Sequence, residues 1–234
     1  MKKAEWAKID IIHRPTAASA LGLVQCFDLL NYGCPVNGFS PKDVTFLKDR
    51  LMPTNHWSRI LEYPWALSNA NLSHDMTATD VGGGNNPFQL ALAFICKHVV
   101  NIDTALDKLM LADALPCRHL FPNLTLLNQD VLTVPIKFDR VFCLSVLEHM
   151  PDPVAAVKHL KSMLNPGGRM LITFDVTDSP CADFPIGFLG AQRILAEFGL
   201  EMPSMEDAFS HVFVIDEKPR HLWVMMFFVD EEEK

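Results

Sequence analysis

From residue 76 onward, short apolar runs alternate with stretches of helical spacing. The runs Ala78–Val81, Val99–Ile102, Leu124–Leu127, Arg140–Leu144 and Arg169–Phe174 read as strands. Pro87–Cys96, Ala105–Ala114 and Val154–Leu164 lie between them and carry helix-like patterns. Buried strands alternating with helices predict a doubly wound, mostly parallel α/β sheet covered on both faces. Leu164-Asn165-Pro166-Gly167-Gly168 closes one helix and turns tightly into the next strand. A further helix is expected over Gly190–Phe198, stopping at Gly199. The alternation then breaks. Val212–Ile215 and Trp223–Val229 are β-rich, and the short Asp216–Arg220 link permits a hairpin, so the last strand is expected to run antiparallel. The acidic run Asp230–Glu233 reads as a solvated end.

Residues 1–75 have a different texture. Ala17–Leu30 is helix-like and Asn31–Gly38 is turn-rich. Ser40 and Pro41 form a helix start, with Val44, Leu47 and Leu51 on one face and a stop before Pro53. A second helix is expected over Trp57–Leu61, followed by Glu62–Leu67. The chain therefore divides into a helical lead-in, 1–75, and an α/β domain, 76–234.

Composition narrows the class. The chain has 234 residues with 49% hydrophobic and 21% charged content, which suits one large core and not disorder. A net charge of -8 argues against a broad nucleic-acid surface and tolerates a cationic ligand. Six cysteines without a C-x-x-C pair read as reduced thiols, and nine scattered histidines show no zinc spacing, so no metal is expected. No apolar run reaches the ~18 residues that span a bilayer. A soluble cytoplasmic protein, monomer or homodimer, is the expectation.

The chemistry concentrates at predicted strand ends, where ligands of such sheets bind. Asp80-Val81-Gly82-Gly83-Gly84-Asn85-Asn86-Pro87 runs from a strand into a helix, and its glycines let backbone approach a ligand closely. Asp103 ends the next strand at about the ~20-residue spacing of a ribose-binding carboxylate. It equally fits the cap of a helix at Ala105. Asp130 follows the third strand, either as an acceptor for an amino group such as that of adenine or as a turn aspartate. Ser145, Glu148 and His149 follow the fourth; Glu148 and His149 also fit a purely structural role before Pro151-Asp152-Pro153.

Together these segments resemble the class I S-adenosylmethionine-dependent methyltransferases over residues 78 to 175. The glycine segment is similar to the family's first motif. The fourth-strand segment Phe138 to Met150 and the turn Leu164 to Arg169 match as well. Asn86 departs from the pattern by standing where the third glycine would. The resemblance implies S-adenosyl-L-methionine as cofactor, within a seven-stranded Rossmann-like sheet. Asp80, Gly82, Gly83, Gly84, Asn85 and Asn86 would cradle its methionine end. Asp103 and Thr104 would hold the ribose, Asp130 and Val131 the adenine side, with Ser145 nearby. Residues 1–75 would cover the site, with Arg59 on the methionine carboxylate, Tyr63 facing the sulfonium and Trp65 toward the acceptor. His149 is the candidate general base for a small-molecule acceptor. Glu148, Asp175, Phe184 and Phe188, with Asp178 and Asp183, would wall the acceptor. Transfer or cyclisation of the aminocarboxypropyl arm, a non-catalytic binding module and a nicotinamide-dependent dehydrogenase remain alternatives.

Overall fold

The computed structural model describes residues 3–6, 58–84, 86, 88–105, 121–206, 208, 210–215 and 218–231. The helices expected over 17–30 and 41–51, residues 106–114 of the next one, and Trp57, Asn85 and Pro87 lie outside them. The described elements are β1 (Lys3–Trp6), α1 (Arg59–Asn69), β2 (Thr77–Val81), α2 (Phe88–Ile95), β3 (His98–Ile102), β4 (Leu124–Leu127), β5 (Phe138–Leu144), α3 (Pro153–Ser162), β6 (Leu164–Thr177), α4 (Phe188–Ala196), β7 (Ser210–Ile215) and β8 (Lys218–Asp230). Short 3-10 turns at Val131–Thr133 and Leu147–His149 follow β4 and β5.

The sheet order is β1-β8-β6-β5-β2-β3-β4, with β7 also paired to β8. Strands β2 to β6 pair in parallel, while β8 runs antiparallel to β6 and β7. Strands β2–β8 are thus the expected seven-stranded mixed sheet. The chain winds outward from β2 through β3 to β4, then returns to place β5 on the other side of β2. That reversal opens a crevice beyond the carboxyl ends of β2 and β5.

Each strand divides its side chains between two cores because the pleat has a period of two. Ala78, Val99, Phe142, Leu171 and Met226 face α1 and α2. Val81, Val100, Cys143, Ile172 and Phe227 face α3 and α4. Each fully buried side chain of Val, Leu or Phe size contributes about 1.5–3 kcal/mol, so both layers are needed to hold the sheet.

Three elements differ from expectation. Helix α1 continues across Pro64 to Asn69, one helix instead of a helix and a following segment. The lost backbone donor is outweighed by burial of Leu61, Tyr63, Trp65 and Ala66. Its last carbonyls are also capped from the sheet: Arg140 Nε donates to Ala70 O at 2.5 Å, Arg140 Nη2 to Asn71 O at 3.1 Å, and Arg169 Nη1 to Asn69 O. Second, α3 starts where Asp152 caps Ala155 N (2.9 Å) with Pro153 in the first turn, and it ends at Ser162, so Leu164 already pairs with Phe138. Third, Lys3–Trp6 is a strand. Trp6 is buried and donates to Pro203 O at 3.1 Å, while Glu5 accepts from Trp65 Nε1 at 2.7 Å. Four residues are too few for alternation to announce a strand.

Candidate functional site

The loop after β2 is built to keep its backbone close to the sheet. Gly82 has φ 67° and donates to Ile102 O at 2.8 Å. A Cβ there would stand 2.6 Å from both methyl carbons of Val146. At Gly83 a Cβ would meet Asp80 Oδ2 at 2.4 Å and Asn101 Oδ1 at 2.8 Å. The Gly84 amide donates to Asp103 Oδ2 (3.0 Å), and its carbonyl accepts from Asn101 Nδ2 (2.9 Å) and Gln89 Nε2 (3.0 Å). Asn86 donates to Gly83 O at 2.5 Å and accepts from Phe88 N at 2.9 Å. The residue that departs from the glycine pattern thereby ties the loop to the start of α2.

Helix α1 is a strut across the sheet. Its carboxyl end is fixed by Arg140 and Arg169, and its first turn reaches the carboxyl edge of β5 and β6. There Glu62, fully buried, accepts from Arg59 Nη1 (2.6 Å), Ser145 Oγ (2.5 Å) and Thr173 Oγ1. Burial alone would push this carboxyl up, but Arg59 and the two hydroxyls hold it below its ordinary value of 4.5. Ser145 is held in a left-handed conformation, φ 50°, with its amide donating to Thr173 O and Oγ1, both at 3.0 Å.

Three more buried carboxyls feel the charge of Arg59. Burial pushes Asp80 up to about 7 despite the attraction of Arg59. Asp175 is also pushed up to about 7, by burial and then by the charge of Glu62. Burial, and then repulsion from Asp175, drive Glu148 well above the ordinary carboxylate range.

In front of these groups lies a groove of about 560 Å³, within the ~300–1,000 Å³ typical of small-molecule sites. Of the residues expected to bind a ligand, Arg59, Gly82, Asp103, Thr104, Asp130, Val131, Ser145 and His149 all line it. Asp103 performs a cap as well, accepting from Ala105 N at 2.8 Å. Asp130 also caps the following turn, accepting from Leu132 N at 3.0 Å. His149 is exposed at the groove wall. A second hollow of about 340 Å³ shares Met150, Pro151 and Asp152 with the groove and adds Glu148, Pro185, Ile186 and Arg193.

Other expected positions fall elsewhere. Asp80, Gly83, Gly84 and Asn86 support the loop from behind the groove lining. Tyr63 does not face the groove: it is buried, stacked on Phe88 at 4.9 Å, with Arg59 lying 5.7 Å from its ring centroid. Trp65 is buried in the same core, bonded to Glu5; the two aromatics point to opposite sides of α1, and this part of the helix is buried all round. Phe188 stands edge-on to Trp6 at 6.2 Å and packs on Trp223 at 5.5 Å, away from the groove lining. Phe184 is half-buried, and Asp178 and Asp183 are exposed; Asp178 accepts from His221 N at 3.2 Å. Asn85 lies outside the described residues.

Glu62, Asn101 and Gln89 were not foreseen. Asn101 and Gln89 are buried and joined to each other at 2.8 Å. For Asn101 the available signal was a polar residue at an apolar position of the strand alternation, Val99 then Asn101; Gln89 had only its place in an otherwise apolar helix. Glu62 signals itself only as an acid one turn after Arg59 on a buried helix.

Residues 79–172 match the family described as "Methyltransferase domain". Over 178 residues the chain is 26% identical to the ubiquinone biosynthesis O-methyltransferase of Colwellia psychrerythraea, covering 73% of this chain and 66% of that protein. It is 27% identical over 136 residues to the ubiquinone biosynthesis O-methyltransferase of Paraburkholderia phytofirmans, 56% of each chain. The chain therefore spans just under two thirds of the first relative's length and little over half of the second's. The crystal structure of the [4+2]-cyclase SpnF shares the fold at a TM-score of 0.56 and 14% identity, over 94% of this chain and 98% of that one.

Proposed function

We propose that this chain, whose residues 79–172 match the methyltransferase-domain family, is a class I S-adenosylmethionine-dependent methyltransferase that binds S-adenosylmethionine in the groove and methylates an oxygen of a small-molecule acceptor. The observation that carries this reading is the convergence of Gly82, Asp103, Asp130, Ser145 and Arg59 on one groove at the sheet's switch point. The local chemistry fits the cofactor. The Gly82–Gly83 cradle excludes side chains, and buried Asp80 keeps an oxygen without a partner just beneath it.

The cofactor supplies a methyl group already activated by a sulfonium. The protein's part is mainly alignment, which can supply several kcal/mol of rate acceleration. Asp103 has lone pairs left beyond its two backbone donors, enough to accept from ribose hydroxyls. Asp130, Val131 and Leu132 form the adenine side. Arg59, held against Glu62 by an ion pair at 2.6 Å, presents its remaining donors to the methionine carboxylate. Arg59 brings the first turn of α1 to this end of the groove. His149, exposed at the groove wall, takes the acceptor's proton. The second hollow, walled by Pro185 and Ile186 from the loop after β6, receives the acceptor. The methylated oxygen is inferred from the O-methyltransferase relatives.

Calorimetry with S-adenosylmethionine, S-adenosylhomocysteine and NAD side by side tests the cofactor. The first two are expected to bind and NAD is not. With a hydroxylated acceptor that supports turnover, S-adenosylhomocysteine is the expected product, whereas methylthioadenosine would indicate chemistry of the aminocarboxypropyl arm. His149→Ala should lower turnover ~10²–10⁴-fold with cofactor binding retained, and full activity would remove the base role.

A further inference from the structure

Behind the Arg59 and Ser145 end of the groove, three elements each bring a buried carboxyl within electrostatic reach of Arg59. Asp80 comes from β2, Glu148 from the turn after β5 and Asp175 from β6, with exposures of 2%, 4% and 7%. Each keeps one oxygen without a hydrogen-bond partner: Asp80 Oδ2, Glu148 Oε2 and Asp175 Oδ1. The cation among them, Arg59, is already engaged by Glu62, whose other partners are the hydroxyls of Ser145 and Thr173. Among the described residues, one guanidinium thus answers four carboxyls. The other described titratable groups that act on them bring no positive charge: Tyr63 on α1, Asp103 after β3 and Cys143 on β5. Among the described residues, no three His, Cys, Asp or Glu side chains form a group that could hold a metal ion.

A buried carboxylate without a partner is strongly unfavourable, so such a group stays protonated until a cation arrives. Resting on the reading of the groove as an S-adenosylmethionine site, we propose that Asp80, Glu148 and Asp175 form a charge-sensing wall that favours the sulfonium cofactor over its uncharged thioether product by giving up a proton as the cation binds. The two ligands share the nucleoside, the ammonium and the carboxylate. They differ by one methyl group and one positive charge, so their comparison isolates the wall. Asp80 and Asp175 are poised near neutrality, where a nearby positive charge changes their occupancy most.

The sign follows from linkage. Below neutrality Asp80 and Asp175 are protonated, and the cation must displace a proton to gain their attraction. Above neutrality these two are already ionised. Affinity for S-adenosylmethionine should therefore rise with pH through about 7, while that for S-adenosylhomocysteine changes little by this route.

Calorimetry of the full chain with each ligand, in two buffers of different ionisation enthalpy, counts the protons. Near pH 7, S-adenosylmethionine should release roughly half to one proton more than S-adenosylhomocysteine. The ratio of the Kd for S-adenosylhomocysteine to that for S-adenosylmethionine should grow about tenfold between pH 6 and 8. Asp175→Asn should reduce the extra proton release and flatten the ratio. Equal proton counts for the two ligands, or a ratio independent of pH, would overturn the proposal while leaving the cofactor reading standing. Failure of both ligands to bind would overturn the two together. The wild-type comparison needs no variant and decides the matter even where Asp175→Asn does not fold.

Discussion

The two faces of the central sheet are made by the same strands and end differently. On the face covered by α3 and α4, apolar side chains run to the carboxyl edge: Val81, Ile102, Cys143, Phe174 and Val176 are all buried. On the face covered by α1 and α2 the strands begin alike, with Ala78, Val99 and Leu171, then turn to Asp80, Asn101, Thr173 and Asp175. The pleat lets neighbouring residues serve opposite ends, one set holding the fold and the other holding charge beneath the groove. Stability and chemistry are thereby separated by one residue along the chain, not by distance.

The largest effect expected from this division is on the apolar face. Phe174→Ala should lower stability by about 3–5 kcal/mol in chemical denaturation, with cofactor affinity of the folded protein little changed. A loss of affinity at preserved stability would contradict the division.

On the polar face the effect should have the opposite sign. Asp175 and Asp80 hold protons to about pH 7, far above their ordinary 3.8. The folded chain therefore binds more protons than the unfolded one between about pH 4 and 7. Stability should fall as pH rises across that window, by on the order of 2–4 kcal/mol for each group. Asp175→Asn should raise the melting temperature at pH 8 and flatten its pH dependence. A melting temperature that climbs from pH 5 to 8 would count against this.

The loop that joins the two regions should show an intermediate effect. Gly83→Ala would press a methyl group against Asp80 and Asn101, costing about 1–3 kcal/mol of stability and lowering cofactor affinity at least about tenfold, read by calorimetry. The smallest effect is expected at the exposed rim. Asp130→Ala removes a turn cap and should reduce stability by roughly 0.5–1 kcal/mol, with a modest loss of cofactor affinity.

The strands of the sheet were legible because they are short apolar runs and the turns between them carry Gly, Pro and Asn at positions that punctuate them. Gly82, Asp103, Asp130 and Ser145 were legible as groove residues because strand ends in such a sheet converge on one edge. Tyr63 and Trp65 misled because an aromatic on a covering helix looks alike whether it faces a ligand or the core; only the stacking of Tyr63 on Phe88 and the bond of Trp65 to Glu5 separate the two. Glu62 stayed hidden because its partners, Ser145 and Thr173, lie 83 and 111 residues away. A long-range buried hydrogen bond leaves no periodic trace. Arg140 and Arg169 likewise read as strand residues, and their role in capping α1 exists only in three dimensions.

The outer side of β8 is shared. β7 pairs with residues 218–223 of that strand and β1 with residues 225–228. Nearly all of its outward backbone amides and carbonyls are thereby occupied. Without Lys3–Trp6, the stretch Met225–Phe228 would present a bare row of donors and acceptors on a strongly apolar strand, the kind of template on which a second chain can add itself. Four residues at the start of the chain thus act as a guard against self-association, and a version begun at residue 8 should gather into larger species at concentrations where the full chain does not.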